Sequence, residues 1–302
     1  KNDIILFLNY MNQIYTPLSW VGFYFRIIQN SFLELDNLIN ILLENQQNFK
    51  RHGNGLLDNF KGKIEFRNVY FKYPLCRKYA LNNLSFLIEK GQKLCIVGPS
   101  GCGKSTIFKI LLKHYDISKG KILIDGIDIQ KIDHKVLLRN ISVIPQECGI
   151  FNNTIRHNIM YGNIRSDSYH LQKSAQRAQA HDFIMDLENE YNTILSRGGL
   201  NISGGEKKRI CIARSLLKSC NIRLIDEVTS FLDDTRAIEV IKTLIEVDKD
   251  STSIFISHRI EIAQKCDFVI FIIDGTIQCI GSHNDLISAD NKYTKFWNTI
   301  KD

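Results

Sequence analysis

The chain has 302 residues, of which 44% are apolar and 24% charged, with only 4 Pro. That excludes a disordered, collagen-like or mucin-like chain, and it is long enough for a large core and for more than one average domain. The formal charge of +7, from 39 Lys and Arg against 32 Asp and Glu, suits nucleic acid, an anionic membrane face or a phosphate ligand and selects none of them.

The chain opens at Lys1, without an initiator Met, inside an apolar segment; the expectation is a natural N-terminus further upstream. A signal peptide does not fit, since there is no basic n-region or small-residue cleavage site. Residues 4–25, IILFLNYMNQIYTPLSWVGFYF, carry no charge. As a helix they would reach about 33 Å, enough to cross a hydrocarbon layer. Asn9, Asn12, Gln13, Thr16 and Trp20 fall within an arc of roughly 100° on such a helix. Two readings stand: a membrane helix with one face on a wet pathway, or a buried helix of a soluble domain with a polar edge. Pro17 predicts a bend, which membrane helices tolerate. Beyond Arg26, Ile27, Ile28, Phe32, Leu35, Leu38, Ile39 and Leu42 continue the helical spacing with Glu34, Asp36 and Glu44 between them. The polar, Gly-containing stretch 44–55 is the predicted boundary, dividing the chain into 1–55 and 56–302.

Residues 93–112, KLCIVGPSGCGKSTIFKILL, place a short apolar run before Gly98, then Gly103-Lys104-Ser105, then helical periodicity. That is the phosphate-binding loop in its strand–loop–helix setting. Glycines let backbone N–H groups wrap phosphates, and the helix N-terminus adds a favourable dipole. Lys104 supplies a point charge to the β and γ phosphates and Ser105 a hydroxyl to Mg²⁺. A second apolar run, Ile222 to Ile225, ends in Asp226-Glu227: one carboxylate can hold Mg²⁺ and the next can activate the attacking water. Between them, Ser203-Gly204-Gly205-Glu206 opens another helical stretch, a second anion-binding N-terminus or simply a capped helix. Since one nucleotide does not need two cradles, the second fits a nucleotide held by another subunit.

Eight cysteines are present: Cys76, Cys95, Cys102, Cys148, Cys211, Cys220, Cys266 and Cys279. None forms a CxxC knuckle, and several lie in apolar runs, so they read as reduced core thiols in a reducing compartment rather than a disulfide framework.

The order of these motifs resembles the nucleotide-binding domain of ABC transporters over residues 62–300. The family implies an α/β fold of the P-loop NTPase type, with a RecA-like core, an antiparallel β subdomain and a helical subdomain, here preceded by one long transmembrane helix. The resemblance places ATP on Gly98, Pro99, Ser100, Gly101, Cys102, Gly103, Lys104, Ser105 and Thr106. It stacks adenine on Tyr73, where the ring rather than the hydroxyl matters. It implies Mg²⁺ on Ser105, Gln146 and Asp226. Glu227 and His258 would be the catalytic pair, and His258 would also reach the γ-phosphate. Ser203, Gly204, Gly205 and Glu206 would touch the partner's nucleotide, and Asp233 would link the two composite sites.

The stretches 114–129 and 150–162 resemble the exporter branch, and 9–42 looks like the last transmembrane helix of half-size exporters of the heavy-metal-tolerance and mitochondrial group. That group implies a homodimer or a pair with a similar half-transporter, further membrane helices upstream, a lipid bilayer and no nucleic acid. It implies a multi-pass membrane protein whose ATPase domain faces the cytosol or the mitochondrial matrix. The implied cargo is glutathione conjugates, metal–thiol complexes or porphyrins. The alternative is a soluble ABC ATPase acting on nucleic acid or ribosomes. Three positions depart from the family pattern: Ser196-Arg197-Gly198-Gly199 ahead of the second cradle, Arg223 in an otherwise apolar strand, and Phe231 beside Leu232-Asp233.

Overall fold

The computed structural model describes residues 2–49, 60–74, 76–229, 234–246, 251–289 and 292–301. The chain divides into two compact units, Lys1–His52 and Gly53–Asp302.

The first unit is one helix, α1 (Asn2–Phe49), with Pro17 inside it. Proline lacks the N–H that would reach the Gln13 carbonyl. Beside it the Thr16 hydroxyl donates to the Asn12 carbonyl at 2.7 Å and the Ser19 hydroxyl to the Thr16 carbonyl at 2.8 Å. Residues 44–49 are helical, so the start of the polar stretch expected as linker continues the rod. Among the described residues no helix is long and apolar enough to cross a membrane. The asparagines, glutamine and tyrosines inside residues 4–25 lower its mean hydropathy, although its large apolar side chains from Ile4 to Leu43 are exposed.

The second unit begins with β1 (Ile64–Phe71), β2 (Leu81–Ile88) and β3 (Lys93–Val97), then α2 (Lys104–Leu111), β4 (Lys119–Ile124) and β5 (Ile127–Asp128). Next come α3 (His134–Asn140), β6 (Ile141–Ile144), and the helices α4 (Ile155–Met160), α5 (Ser168–Arg177), α6 (His181–Met185) and α7 (Gly204–Leu217). The chain closes with β7 (Ile222–Asp226), α8 (Asp234–Glu246), β8 (Thr252–Ile256), α9 (Ile260–Lys265), β9 (Phe268–Ile273), β10 (Thr276–Gly281), α10 (His283–Ser288) and α11 (Lys292–Lys301). Strands β2-β1-β4-β5 form an antiparallel sheet, and β10-β9-β3-β8-β7-β6 a second sheet, parallel except for β10.

Strand side chains alternate between faces, and here both faces of the parallel sheet are covered. Leu94, Ile96, Leu224, Ile254 and Ile270 join a core with the antiparallel sheet and α2, built around residues such as Ile64, Leu81 and Ile107. Cys95, Val97, Ile225, Phe255 and Val269 face the other way, into a core with α4 to α11 that includes Ile155, Ile210, Ile212, Tyr293 and Trp297. This explains why strands such as KLCIV read as unbroken apolar runs.

Arg223 is the exception, 2% exposed in mid-strand. It lies on the face of Ile225, and its Nη1 donates to the Ser215 carbonyl at 2.6 Å and the Ser215 hydroxyl at 2.8 Å. Ser215 is in the last turn of α7, where carbonyls lack helical partners. Arg223 therefore caps α7 with a cation at the negative end of its dipole, and the hydroxyls of Ser142 and Ser215 meet at 2.7 Å beside it. Removing it strands buried carbonyl and hydroxyl oxygens and opens a cavity. Arg223→Ala should cost about 2–4 kcal/mol. Arg223→Met, which keeps the volume, should cost less than half of that. Urea unfolding of both variants checks this, and equal costs would show that the lost volume contributes nothing and the hydrogen bonds account for the whole effect.

Candidate nucleotide site

Neighbouring parallel strands end on one edge, and their C-terminal ends carry the chemistry. β3 runs into the loop 98–103, β7 into Asp226-Glu227, and β8 into Ser257-His258. With β3 paired to β8 and β8 to β7, these groups lie side by side at one cleft. The cleft, about 830 Å³, is lined by Ser100, Gly101, Gly103, Lys104, Ser105, Thr106, Gln146, Glu227 and His258, and at its far end by Tyr73, Lys78 and Lys109.

The loop is closed by backbone crowding. A Cβ on Gly98 would lie 2.2 Å from the Ile272 carbonyl, and one on Gly103, at φ +105, would lie 2.5 Å from the Ala80 carbonyl. Cys102 is buried beneath the loop. Lys104 opens α2, and its Nζ donates to the carbonyls of Gly98 and Pro99 at 2.8 Å each. Its positive head is thus folded into its own loop, in reach of any anion lying on the N-terminus of α2. Ser105 is exposed, and its hydroxyl donates to the Asp226 carboxylate. Burial pushes the Asp226 carboxyl above the ordinary range, with that hydrogen bond opposing.

Glu227 stands in the left-handed region at φ 44, which a non-glycine residue adopts only where its surroundings over-determine it. Its N–H donates to the Ile256 carbonyl at 3.0 Å. Gln146 Nε2 donates to Glu227 Oε2 at 2.9 Å, and His258 Nε2 lies 3.4 Å from Glu227 Oε1. Burial, and then the Lys104 charge, lower the His258 pKa below the ordinary histidine value of 6.5, against the opposite pull of Glu227 and Asp226. At neutral pH the contact is therefore a hydrogen bond to a neutral imidazole rather than an ion pair. Lys208 holds the Gln146 segment, donating to the carbonyls of Pro145 at 2.9 Å and Gln146 at 3.0 Å. The sequence did not single out Lys208, because KKR at a helix start reads as a solvated charge run.

The oxygen donors fit Mg²⁺, which takes one or two carboxylates plus phosphate and water rather than an all-protein cage. Asp226 and Ser105 supply such donors, and among the described residues no group of three or more His, Cys, Asp or Glu could hold a metal by itself.

Tyr73 is partly buried at the far end of the cleft, with the edges of Phe71 and Tyr115 against it at centroid distances of 4.9 Å and 5.2 Å. Lys109 Nζ lies 5.5 Å from its ring centroid. Its hydroxyl meets the Thr106 hydroxyl at 3.0 Å, a link that spacing could not foretell.

Ser203, Gly204, Gly205 and Glu206 are not in the cleft lining. Ser203 caps α7: its hydroxyl accepts from the Glu206 N–H at 3.2 Å, and the Glu206 carboxylate accepts from the Ser203 N–H at 2.7 Å. This N-terminus is open to solvent at Ser203 and Gly204. Just ahead of it, Arg197–Gly199 form a short 3-10 turn with Gly198 at φ 70. Asp233 and Phe231 lie outside the described residues.

A glycine-walled loop with an inward lysine, an acidic strand end and a restrained glutamate define the class: a P-loop nucleotide site arranged for phosphoryl transfer to water. Residues 81–230 match the sequence model of the family described as ABC transporter. The chain is 40% identical over 295 residues to "ATP-binding cassette sub-family B member 6" of Rattus norvegicus, covering 98% of this chain and 35% of that protein. It is 36% identical over 300 residues to "Iron-sulfur clusters transporter atm1, mitochondrial" of Aspergillus fumigatus, covering 98% of this chain and 41% of that one. Among solved structures, a bacterial Atm1-family ABC exporter with ATP bound superposes with a TM-score of 0.78 at 37% identity, over 81% of this chain and 43% of that one. The chain belongs to the ABC transporter family and carries the ATP-binding domain of its exporter branch. It spans about two fifths or less of the length of these curated relatives.

If adenine stacks on Tyr73, Tyr73→Ala should weaken ATP binding about ten-fold or more, from the roughly 1–3 kcal/mol that base–aromatic stacking contributes. Tyr73→Phe keeps the ring but loses the Thr106 hydrogen bond, so a smaller loss of about two- to five-fold is expected. Titration with a fluorescent ATP analogue measures both, and equal losses would remove the stacking role.

Proposed function

We propose that the chain is the ATP-hydrolysing part of a half-size membrane exporter, acting in pairs. The observation that carries this reading is the Glu227 carboxylate, held between Gln146 and His258 at the mouth of the phosphate loop.

In this reading the backbone N–H groups of 98–106 and the Lys104 head bind the phosphates, with Lys104 exchanging the Gly98 and Pro99 carbonyls for phosphate oxygens. Ser105, Gln146 and Asp226 are the oxygen donors for Mg²⁺, which when bound would offset charge on the transferred phosphoryl group. Glu227 accepts the proton of the attacking water. Gln146 aims the carboxylate and that water, and the single N–H of neutral His258 turns from Glu227 toward the γ-phosphate when nucleotide is bound. Asp233 would lie between the two composite sites.

The N-terminus of α7 supports pairing: Ser203 to Glu206 form an anion cradle outside the cleft, so it can serve a nucleotide on a second subunit, whether an identical copy or a similar half-transporter. For α1 we propose a place in the bilayer beside further helices of the same protein. Its polar stripe lowers the hydropathy, but the exposed apolar side chains around the rest of it require lipid or other helices as cover. Gln13, Thr16 and Trp20 share one groove of this helix with Pro17, Val21 and Tyr24, which suits a face turned to a substrate path. The cargo we propose is glutathione conjugates, metal–thiol complexes or porphyrins; one relative is named for iron–sulfur cluster transport. The ATPase part would face the cytosol or the mitochondrial matrix. A soluble ATPase acting on nucleic acid is not favoured, because the relatives are transporters and exporters.

Glu227→Gln keeps the shape of the side chain and loses the base. Turnover should drop by about 10²–10⁴-fold while ATP binding persists, and ATP trapped between two cradles should hold the variant as a dimer on gel filtration. Lys104→Ala, or Ser203→Arg added to Glu227→Gln, should abolish that dimer. Parental hydrolysis by Glu227→Gln would end the general-base assignment, and a monomer with ATP bound would count against the shared site.

A further inference from the structure

The main chain from Pro145 to Gly149 belongs to no helix or strand, and Gln146 within it is exposed. Neither a strand ladder nor core packing therefore sets the direction of the Gln146 side chain. Two side chains of α7 grip the segment. Arg214 Nη1 donates to the Gly149 carbonyl at 2.9 Å. Lys208 Nζ donates to the carbonyls of Pro145 at 2.9 Å and Gln146 at 3.0 Å. Lys208 is 1% exposed, and lysine is seldom buried so fully unless its charge is matched. Its hydrogen-bond partners are nonetheless these two neutral oxygens.

Which carbonyls it holds matters. The Pro145 carbonyl lies in the peptide plane before the Gln146 Cα, and the Gln146 carbonyl in the plane after it. One ammonium that reaches both fixes the two planes relative to each other. With them it fixes the φ and ψ of Gln146 and the direction of its Cα–Cβ bond. At the end of that side chain, Nε2 donates to Glu227 Oε2 at 2.9 Å.

We propose that Lys208 is a positioning residue for ATP hydrolysis, which aims Gln146 at Glu227 by holding the backbone on both sides of the Gln146 Cα. The proposal rests on the roles given to Gln146 and Glu227 above. Lys208 is absent from the cleft lining, so it acts through Gln146 and not on the nucleotide. Without its ammonium the two peptide planes can turn, and the Gln146 amide leaves the carboxylate. The phosphate loop keeps all of its contacts, so ATP binding should survive.

The test measures ATP turnover, and ATP affinity without Mg²⁺, for Lys208→Met, Gln146→Ala and the two combined. Lys208→Met keeps most of the stem and loses the donors. Its turnover should fall about ten- to hundred-fold, the scale of a misplacement near 1 Å, with ATP affinity within about two-fold of the parent. If Lys208 works through Gln146, the double variant should turn over ATP within about two-fold of Gln146→Ala alone, whereas a side chain that only stabilises the fold would multiply its own loss onto that of Gln146→Ala. Lys208→Arg keeps a charge and donors, although in a planar fork, and should recover most of the turnover. Should Lys208→Met not fold, Lys208→Gln, which keeps a donor on a shorter stem, takes its place in the cycle. Parental turnover in the folded variant, or losses that multiply, would overturn the proposal. Parental hydrolysis by Glu227→Gln would instead remove the general-base reading, and the cycle between Lys208 and Gln146 would still decide whether one acts through the other.

Discussion

The pairing of β3 with β8 and of β8 with β7 is the constraint on which the site depends. Parallel strands deliver their following loops to one edge, and the three strands here are immediate neighbours. Residues far apart in sequence, Lys104, Glu227 and His258, therefore meet at the cleft without any long-range loop having to find them. The strands can take this central position only because both of their faces are covered. The alternation that sends Leu94 and Ile96 one way and Cys95 and Val97 the other is thus a precondition for the chemistry at their ends.

Within that frame the charges are held in readiness rather than neutralised. Among the described residues no carboxylate is paired with the head of Lys104; it donates to two carbonyl oxygens, with the Cys102 sulfur at 3.9 Å, neutral groups that a phosphate can replace at a gain in electrostatic energy. Glu227 is held by the Gln146 amide at 2.9 Å, with the His258 imidazole at 3.4 Å on its other oxygen, and both orient the carboxylate. The left-handed backbone at Glu227 belongs to the same arrangement, because it lets the side chain leave the strand end and face both partners.

The phosphate loop, the acidic strand end and the capped helix at Ser203 were legible in the sequence, because each depends on local spacing and residue type. Contacts across the fold left no such trace. Thr106 as the partner of Tyr73 and Lys208 as the holder of the Gln146 segment both join separate elements, and each residue taken singly has an ordinary surface or core reading. Arg223 is instructive in the other direction. As a sequence feature it was only an interruption of an apolar strand; in the fold it completes the end of a helix. The division between the two units, at His52 and Gly53, falls inside the polar stretch 44–55, and the rod continues into that stretch as far as Phe49.

α7 connects these parts mechanically. Its N-terminus carries the capping box of Ser203 and Glu206, its flank holds the Gln146 segment through Lys208 and Arg214, and its last turn is tied through Ser215 to Arg223 in the strand that ends at Asp226. A helix of 14 residues packed along a core is stiff on this scale. Any displacement of Ser203 by an anion must therefore be shared with the loop that orients Glu227 and with the strand that presents it. Under the pairing proposed above, contact at one subunit's cradle would be felt at that subunit's own Glu227, and the two nucleotide sites would not act independently.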